Sequence, residues 1–290
     1  MHALIEKLIK NGPVITDGAW GTELQSRGLQ PGKSPESWNL DHPDQVQEVP
    51  AAYVQAGSHI VLTNTFGANH FVQKKFKLEG KIPEINRAGV DISRKAVKGS
   101  DTLVFASIGP SGRMLLMKEV TTSELQETFE EQATAIAEAG ADGIVVETMI
   151  DINEALIAIA AAKKTGLPVV GCMTLDSGKN KDRTMMGNTA GEVAEKFTAA
   201  GVDVVGSNCG QGIEGFINIC QQMRQVTTLP LWMKANAGLP EFVDGQTVFN
   251  TSPEEFVKLV PDLLNAGANF IGGCCGTNPS FIKAIADTIR

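Results

Sequence analysis

QAGSHIVLTNT (55–65), EAGADGIVVET (138–148), AAGVDVVGSNC (199–209) and NAGANFIGGCC (265–275) share one pattern: a helical stretch stops at Ala-Gly, a few residues follow, and an apolar run opens. Glycine after a helical stretch is the usual left-handed stop, because without a Cβ it takes positive φ at no steric cost. The apolar run behind it reads as a parallel strand covered on both faces. Gly57, Gly140, Gly201 and Gly267 therefore each mark a helix-to-strand junction.

Four more strands fit around these: PVIT (13–16), TLVFASIG (102–109), LPVVGCMTL (167–175) and LPLWMKAN (229–236). Helical patterns lie at 42–56, 84–98, 122–139, 151–165, 189–200, 213–226, 252–266 and 278–290, several opening with Asp, Thr or Ser as N-caps. Strand and helix alternate eight times without a linker-like stretch or a charge run. The reading is an α/β protein, a single-domain (β/α)8 TIM barrel over 1–290, rather than a doubly wound sheet with a switch point.

The 290 residues are 42% hydrophobic and 20% charged, which excludes disordered and coiled-coil classes. A net charge of −8 gives no electrostatic reason to approach nucleic acid or anionic lipid. MHALIEKLI at the start is a short amphipathic stretch, and no apolar run approaches the ~18 residues that span a bilayer, so a cytoplasmic protein is expected. Five cysteines, an odd number, point to thiol or metal chemistry rather than a disulfide framework.

Strand ends carry the chemistry in this fold. Seven residues after each junction glycine stand Asn64, Glu147, Asn208 and Cys274; eight after stand Thr65, Thr148, Cys209 and Cys275. Equal offsets imply equal height, so these polar, acidic and thiol groups converge on a candidate site. The strands ending at Cys209 and at Cys274–Cys275 are separated by one strand, which lets three sulfurs meet. Tetrahedral zinc suits such a cluster, and three protein ligands with one open position is the catalytic pattern. Adjacent residues of a regular strand face opposite ways, so the vicinal pair can share a metal only if the chain turns there, a freedom that Gly272, Gly273 and Gly276 supply. The alternative is that the thiols are buried small hydrophobes, as expected for Cys172 in its strand and Cys220 in its helix. Three thiolates leave the metal site at −1, which favours sulfur as fourth ligand, and coordination deprotonates a thiol without a general base. His2, His42, His59 and His70 stand at no strand end and are expected to be structural.

DGAWGTEL (17–24), LTNTFGAN (62–69), ETMIDINEA (147–155), GSNC (206–209), NAG (236–238) and GGCCGT (272–277) together resemble the homocysteine S-methyltransferase family, in its order and spacing. The likeness is greatest to the homocysteine-binding barrel of cobalamin-dependent methionine synthases. It implies a zinc-dependent enzyme that methylates homocysteine to methionine, with Cys209, Cys274 and Cys275 as zinc ligands. It places Asn236 where a fourth ligand can stand before substrate arrives. A zwitterionic substrate needs a carboxylate opposite its ammonium and N–H groups opposite its carboxylate. Glu147 is the candidate for the ammonium, Asp17 with the Gly18 and Ala19 amides fits the rest, and Asn64, Thr65 and Asn208 line the pocket or brace its loops.

The betaine-dependent branch carries a tyrosine where this sequence has Gly67, and the single tyrosine, Tyr53, lies in a helix, which argues against an aromatic cage. No Asp-x-His-x-x-Gly corrinoid motif occurs, so methylcobalamin is expected on a separate corrinoid protein. S-methylmethionine or S-adenosylmethionine is the alternative donor, and a noncatalytic zinc-binding barrel subunit that docks a corrinoid protein is the alternative of another class. DSGKNKDRTMMGNT (176–189) reads either as a mobile loop at the mouth or as an ordinary βα loop.

Overall fold

Gly57 and Gly201 end their helices at φ 102° and 72°, and Gly140 and Gly267 turn the chain at 82° and 111°. Each junction releases the chain into a strand, as the repeated pattern predicts. In the computed structural model, which describes residues 1–243 and 246–289, the strands are β1 (Val14–Ile15), β2 (Ile60–Val61), β3 (Leu103–Ile108), β4 (Gly143–Met149), β5 (Val169–Met173), β6 (Val204–Gly212), β7 (Leu231–Asn236), β8 (Pro240–Val243), β9 (Gln246–Phe249) and β10 (Ala268–Gly273). Eight form one sheet in the order β1-β10-β7-β6-β5-β4-β3-β2, with every pairing parallel. Helices alternate with them. The architecture is the expected (β/α)8 barrel.

The two end strands are shorter than their apolar runs suggest, because side chains replace the ladder at the seam. His59 N–H donates to the Ile15 carbonyl at 2.7 Å, and Ile15 N–H donates to His59 Nδ1 at 3.0 Å. One step further up, Leu62 N–H donates to Asp17 Oδ2 at 2.7 Å. The seam needs acceptors at those points, and a histidine ring and a carboxylate provide them.

Inside the barrel, Trp232 stacks between Phe105 and Phe270, with ring centroids 6.3 and 5.3 Å away. Gly206 lets β6 approach the β7 backbone at Trp232, since a Cβ there would lie 2.2 Å from the Trp232 carbonyl oxygen and 2.9 Å from Cys172 Sγ. Cys172 belongs to this interior layer, as expected, and burial pushes its thiol well above the usual range. Cys220 is likewise buried, in the helix Ile213–Arg224. The N-terminal amphipathic stretch forms the helix Ala3–Ile9, whose Ile5 is fully buried in the same interior cluster.

Two regions differ from expectation. The stretch 252–266 is two helices, Pro253–Val257 and Val260–Asn265, because Pro261 lacks the N–H that a continuous ladder needs and restarts the helix in its first turn. The connection after β7 contains the antiparallel hairpin β8–β9, which no alternating apolar run announces.

Candidate active site

β10 ends at Gly273, and the next residues turn: Thr277 N–H and Oγ1 both reach the Cys274 carbonyl, at 3.0 and 2.7 Å. Cys274 N–H still pairs with Ala235 O at 2.7 Å and Ala237 N–H with Cys275 O at 3.0 Å, so β7 holds the turn from one side. The bend lets both vicinal thiols face the same point. On β6, Cys209 takes φ 64°, and the register against β7 shifts between Asn208 and Gly212. The equivalent residue of β4, Thr148, takes φ 57° beside a register shift of its own. Such left-handed conformations cost about 1–3 kcal/mol at a non-glycine residue and persist where neighbours impose them. Asn208 does so here, accepting from Thr148 N–H and donating to Thr148 Oγ1, both at 2.7 Å.

The Sγ atoms of Cys209, Cys274 and Cys275 lie within 4.8 Å of one another, with Cys209 and Cys275 3.7 Å apart. Four ligands at ~2.3 Å around a tetrahedral ion put sulfurs about 3.8 Å apart, so the spacing fits zinc. Asn236, at the end of β7 between the two thiol-bearing strands, has a buried Oδ1 with no hydrogen-bond partner among the described residues. The Asn236 side chain also hydrogen-bonds the Cys209 thiol, which puts it next to the cluster. Without an ion, hydrogen bonds from Cys274 and then Cys275 hold the Cys209 thiol far below its ordinary range, and the same bonds raise the other two.

The thiols stand in a cavity of about 420 Å³ at the carboxyl ends of the strands, also lined by Glu147, Ser107, Lys234, Gly18, Ala19 and Asn64, with Trp20 and Phe66 among its apolar walls. A larger groove of about 1000 Å³, lined by Asn11, His59, Arg94 and Asp142, lies at the other end of the barrel and holds no thiol. Glu147 accepts from Ser107 Oγ at 2.5 Å and Asn208 Nδ2 at 3.1 Å. Burial raises its pKa, against the lowering effects of Lys234 and Ser107. Asp17, Thr65, Asn208 and Asn236 stand behind the lining. Asp17 is fully buried, with Oδ1 2.5 Å from Lys234 Nζ and Oδ2 accepting from Trp20 Nε1 at 2.8 Å and from Leu62 N–H. Thr65 donates to the Ser107 carbonyl at 2.7 Å, and Asn64 donates to Pro35 O and Asn39 Oδ1 at 2.7 and 2.9 Å.

The family model described as homocysteine S-methyltransferase matches residues 14–289. The chain belongs to that family. It is 25% identical over 296 residues to methionine synthase of Mycobacterium leprae, covering 95% of this chain and 24% of that protein. It thus spans about a quarter of the length of the methionine synthases it matches. S-methylmethionine–homocysteine S-methyltransferase of Pongo abelii is 26% identical, covering 99% of this chain and 81% of that one. Among solved structures, the metallated homocysteine methyltransferase MmuM from Escherichia coli has a TM-score of 0.83 at 23% identity, over 99% of both chains, a likeness of fold.

Within this homocysteine S-methyltransferase fold, a Cβ at Gly67 would lie 2.8 Å from Glu36 Oε1, which accepts the Gly67 N–H at 2.7 Å, so a larger residue there would have to displace the Glu36 side chain. Tyr53 is buried in the helix Pro43–Ala56 and donates to the Ala19 carbonyl at 2.7 Å. None of the four histidines lines the thiol cavity. The segment 176–189 is pinned rather than loose: Arg183 bridges Ser177 and Thr189, Gln211 Nε2 donates to the Leu175 and Lys181 carbonyls at 2.8 Å, and Gln222 holds Asp182 at 2.9 Å. Lys234, Ser107 and Trp20 escaped the sequence reading. A lone cation inside the apolar run LPLWMKAN was the available signal, since a buried ammonium requires a partner.

Proposed function

We propose that the chain is a zinc-dependent S-methyltransferase that methylates homocysteine to methionine and takes the methyl group from methylcobalamin carried by a separate corrinoid protein. The observation that carries the reading is the three-thiol cluster at the floor of a cavity that also presents Glu147. Cys209, Cys274 and Cys275 would hold zinc, with Asn236 as the fourth donor in the absence of substrate. Bound there, zinc supplies a Lewis acid that keeps a substrate thiol deprotonated at neutral pH. Glu147 receives the substrate ammonium, and Ser107 and Asn208 fix the carboxylate by hydrogen bonds to its two oxygens. Trp20 and Phe66 keep the reacting sulfur in an apolar surround.

A protein-borne donor is favoured by the loops around the mouth. Met114, Leu116, Met117, Met185, Met186 and Leu239, on the loops after β3, β5 and β7, are each at least 38% exposed. Methionine-rich, exposed apolar loops are suited to a docking protein. A sulfonium donor, S-methylmethionine or S-adenosylmethionine, is the second reading, supported by the relative from Pongo abelii that this chain nearly spans. The test is a donor screen on zinc-loaded protein with homocysteine. Methionine formed from a methylcobalamin-bearing protein supports the first reading, methionine only from a sulfonium supports the second, and none from any donor leaves a noncatalytic docking barrel. Cys274→Ser is expected to lower zinc content and turnover together, by at least the roughly tenfold that loss of a ligand's supporting contact already costs. Full zinc occupancy with normal turnover in that variant rejects the cluster as the metal site.

A further inference from the structure

Homocysteine carries a carboxylate as well as an ammonium, and the reading above, on which this inference rests, gives that carboxylate no counter-charge. Of the two backbone amides expected to receive it, Ala19 N–H already donates to Thr277 Oγ1 at 3.2 Å, in a buried position. Asp17 stands behind the cavity lining, where Lys234 holds one of its oxygens while Trp20 and Leu62 share the other. The Gly18 amide also lines the cavity and can donate to one carboxylate oxygen, but it carries no charge. Among the described residues Lys234 is the one lysine or arginine lining the thiol cavity, and its side chain is 3% exposed. An ammonium has three N–H bonds. The Lys234 ammonium donates one to Asp17 Oδ1, and it has no other hydrogen-bond partner among the described residues. Unmatched N–H bonds on a buried charge are costly, and an anion placed in the cavity would relieve that cost.

We propose that Lys234 is a specificity-determining residue that receives the α-carboxylate of the thiol substrate, and that Asp17 is the positioning residue that holds its ammonium in place. The arrangement alternates charge across the cavity: Asp17, Lys234, substrate carboxylate, substrate ammonium, Glu147. The site would then select thiols that bear an amino-acid group over simple thiols, with Glu147 and Lys234 each reading one end.

The test is calorimetric binding of three thiols to zinc-loaded protein: homocysteine, 3-mercaptopropylamine, which lacks the carboxylate, and 4-mercaptobutanoate, which lacks the ammonium. Lys234→Met is expected to weaken homocysteine and 4-mercaptobutanoate by about 10–100-fold, the usual worth of a hydrogen bond to a charged group, and to leave 3-mercaptopropylamine unchanged. If leaving Asp17 buried without its cation prevents folding, the double variant Asp17→Asn, Lys234→Met removes both charges and is expected to show the same selective loss. Equal losses for all three thiols, or no loss for any, overturn the assignment. Wild-type protein that shows this carboxylate selectivity but forms no methionine from any donor refutes the catalytic reading and leaves the role of Lys234 standing. Wild-type protein that binds none of the three thiols overturns both.

Discussion

Glu147 owes its orientation to neighbours more than to its strand. The register of β4 slips immediately after Val146, Thr148 is left-handed, and Ser107 from β3 and Asn208 from β6 each hold one carboxylate oxygen. Under the proposed function, a carboxylate so fixed at the wall of the cavity would receive the ammonium of the substrate. Replacing it with glutamine keeps the shape and removes the charge. Glu147→Gln is therefore expected to weaken homocysteine binding by about 10–100-fold while zinc binding stays nearly intact, since the sulfur ligands lie on other strands. Calorimetry with zinc and then with homocysteine separates the two effects, and an unchanged homocysteine dissociation constant removes Glu147 from the pocket. At this scale the sequence was informative about types and positions: the equal offsets from the junction glycines brought Glu147, Cys209, Cys274 and Cys275 to one level. It was silent about pairing. Asp17 reads from sequence as a free strand-end acid, and only the approach of β7 to β1, mediated by β10, reveals that Lys234 occupies it.

Strands were legible from their apolar runs because parallel strands buried on both faces leave a strong local mark. Their ends were not, since the left-handed turns at Thr148 and Cys209 depend on contacts between strands far apart in sequence, which no local propensity encodes. The break at Pro261 is a different case, since the proline is a local signal that the apolar periodicity of 252–266 outweighed. Close packing between β6 and β7 gives an element-scale prediction. Gly206 faces Trp232, and a methyl there would meet the indole residue's carbonyl oxygen at 2.2 Å and its Cβ at 2.8 Å, atoms of a rigid strand. Gly206→Ala is expected to destabilise the barrel by about 1–3 kcal/mol through overpacking, seen as a lower denaturant midpoint. Because Cys209 lies three residues along β6, zinc affinity should fall with it. Unaltered stability would mean that the two strands separate more easily than their hydrogen-bonded register implies.

A barrel of this kind divides its labour between two ends. Chemistry gathers where the strands finish, and the other end is free to serve stability. In this molecule the helix Ala3–Ile9 closes that second end, and Ile5 enters the interior cluster with Val14, Ile60, Phe105, Trp232 and Phe270. Asp203 fastens the helix from outside, accepting the His2 N–H at 2.6 Å, and also accepts the Val169 N–H at 3.0 Å, so the plug is tied to the start of β5. The aromatic layer of Phe105, Trp232 and Phe270 lies between this plug and the thiols. A cavity at Ile5 should therefore cost folding energy without reaching the site. Ile5→Ala is expected to lower unfolding free energy by about 2–5 kcal/mol while leaving zinc content and the homocysteine dissociation constant at wild-type values, measured on the folded protein well below its transition. A variant that keeps its stability would show that the helix lies on the barrel without sealing it, and one that loses zinc with its stability would show that the aromatic layer transmits the disturbance to the opposite end.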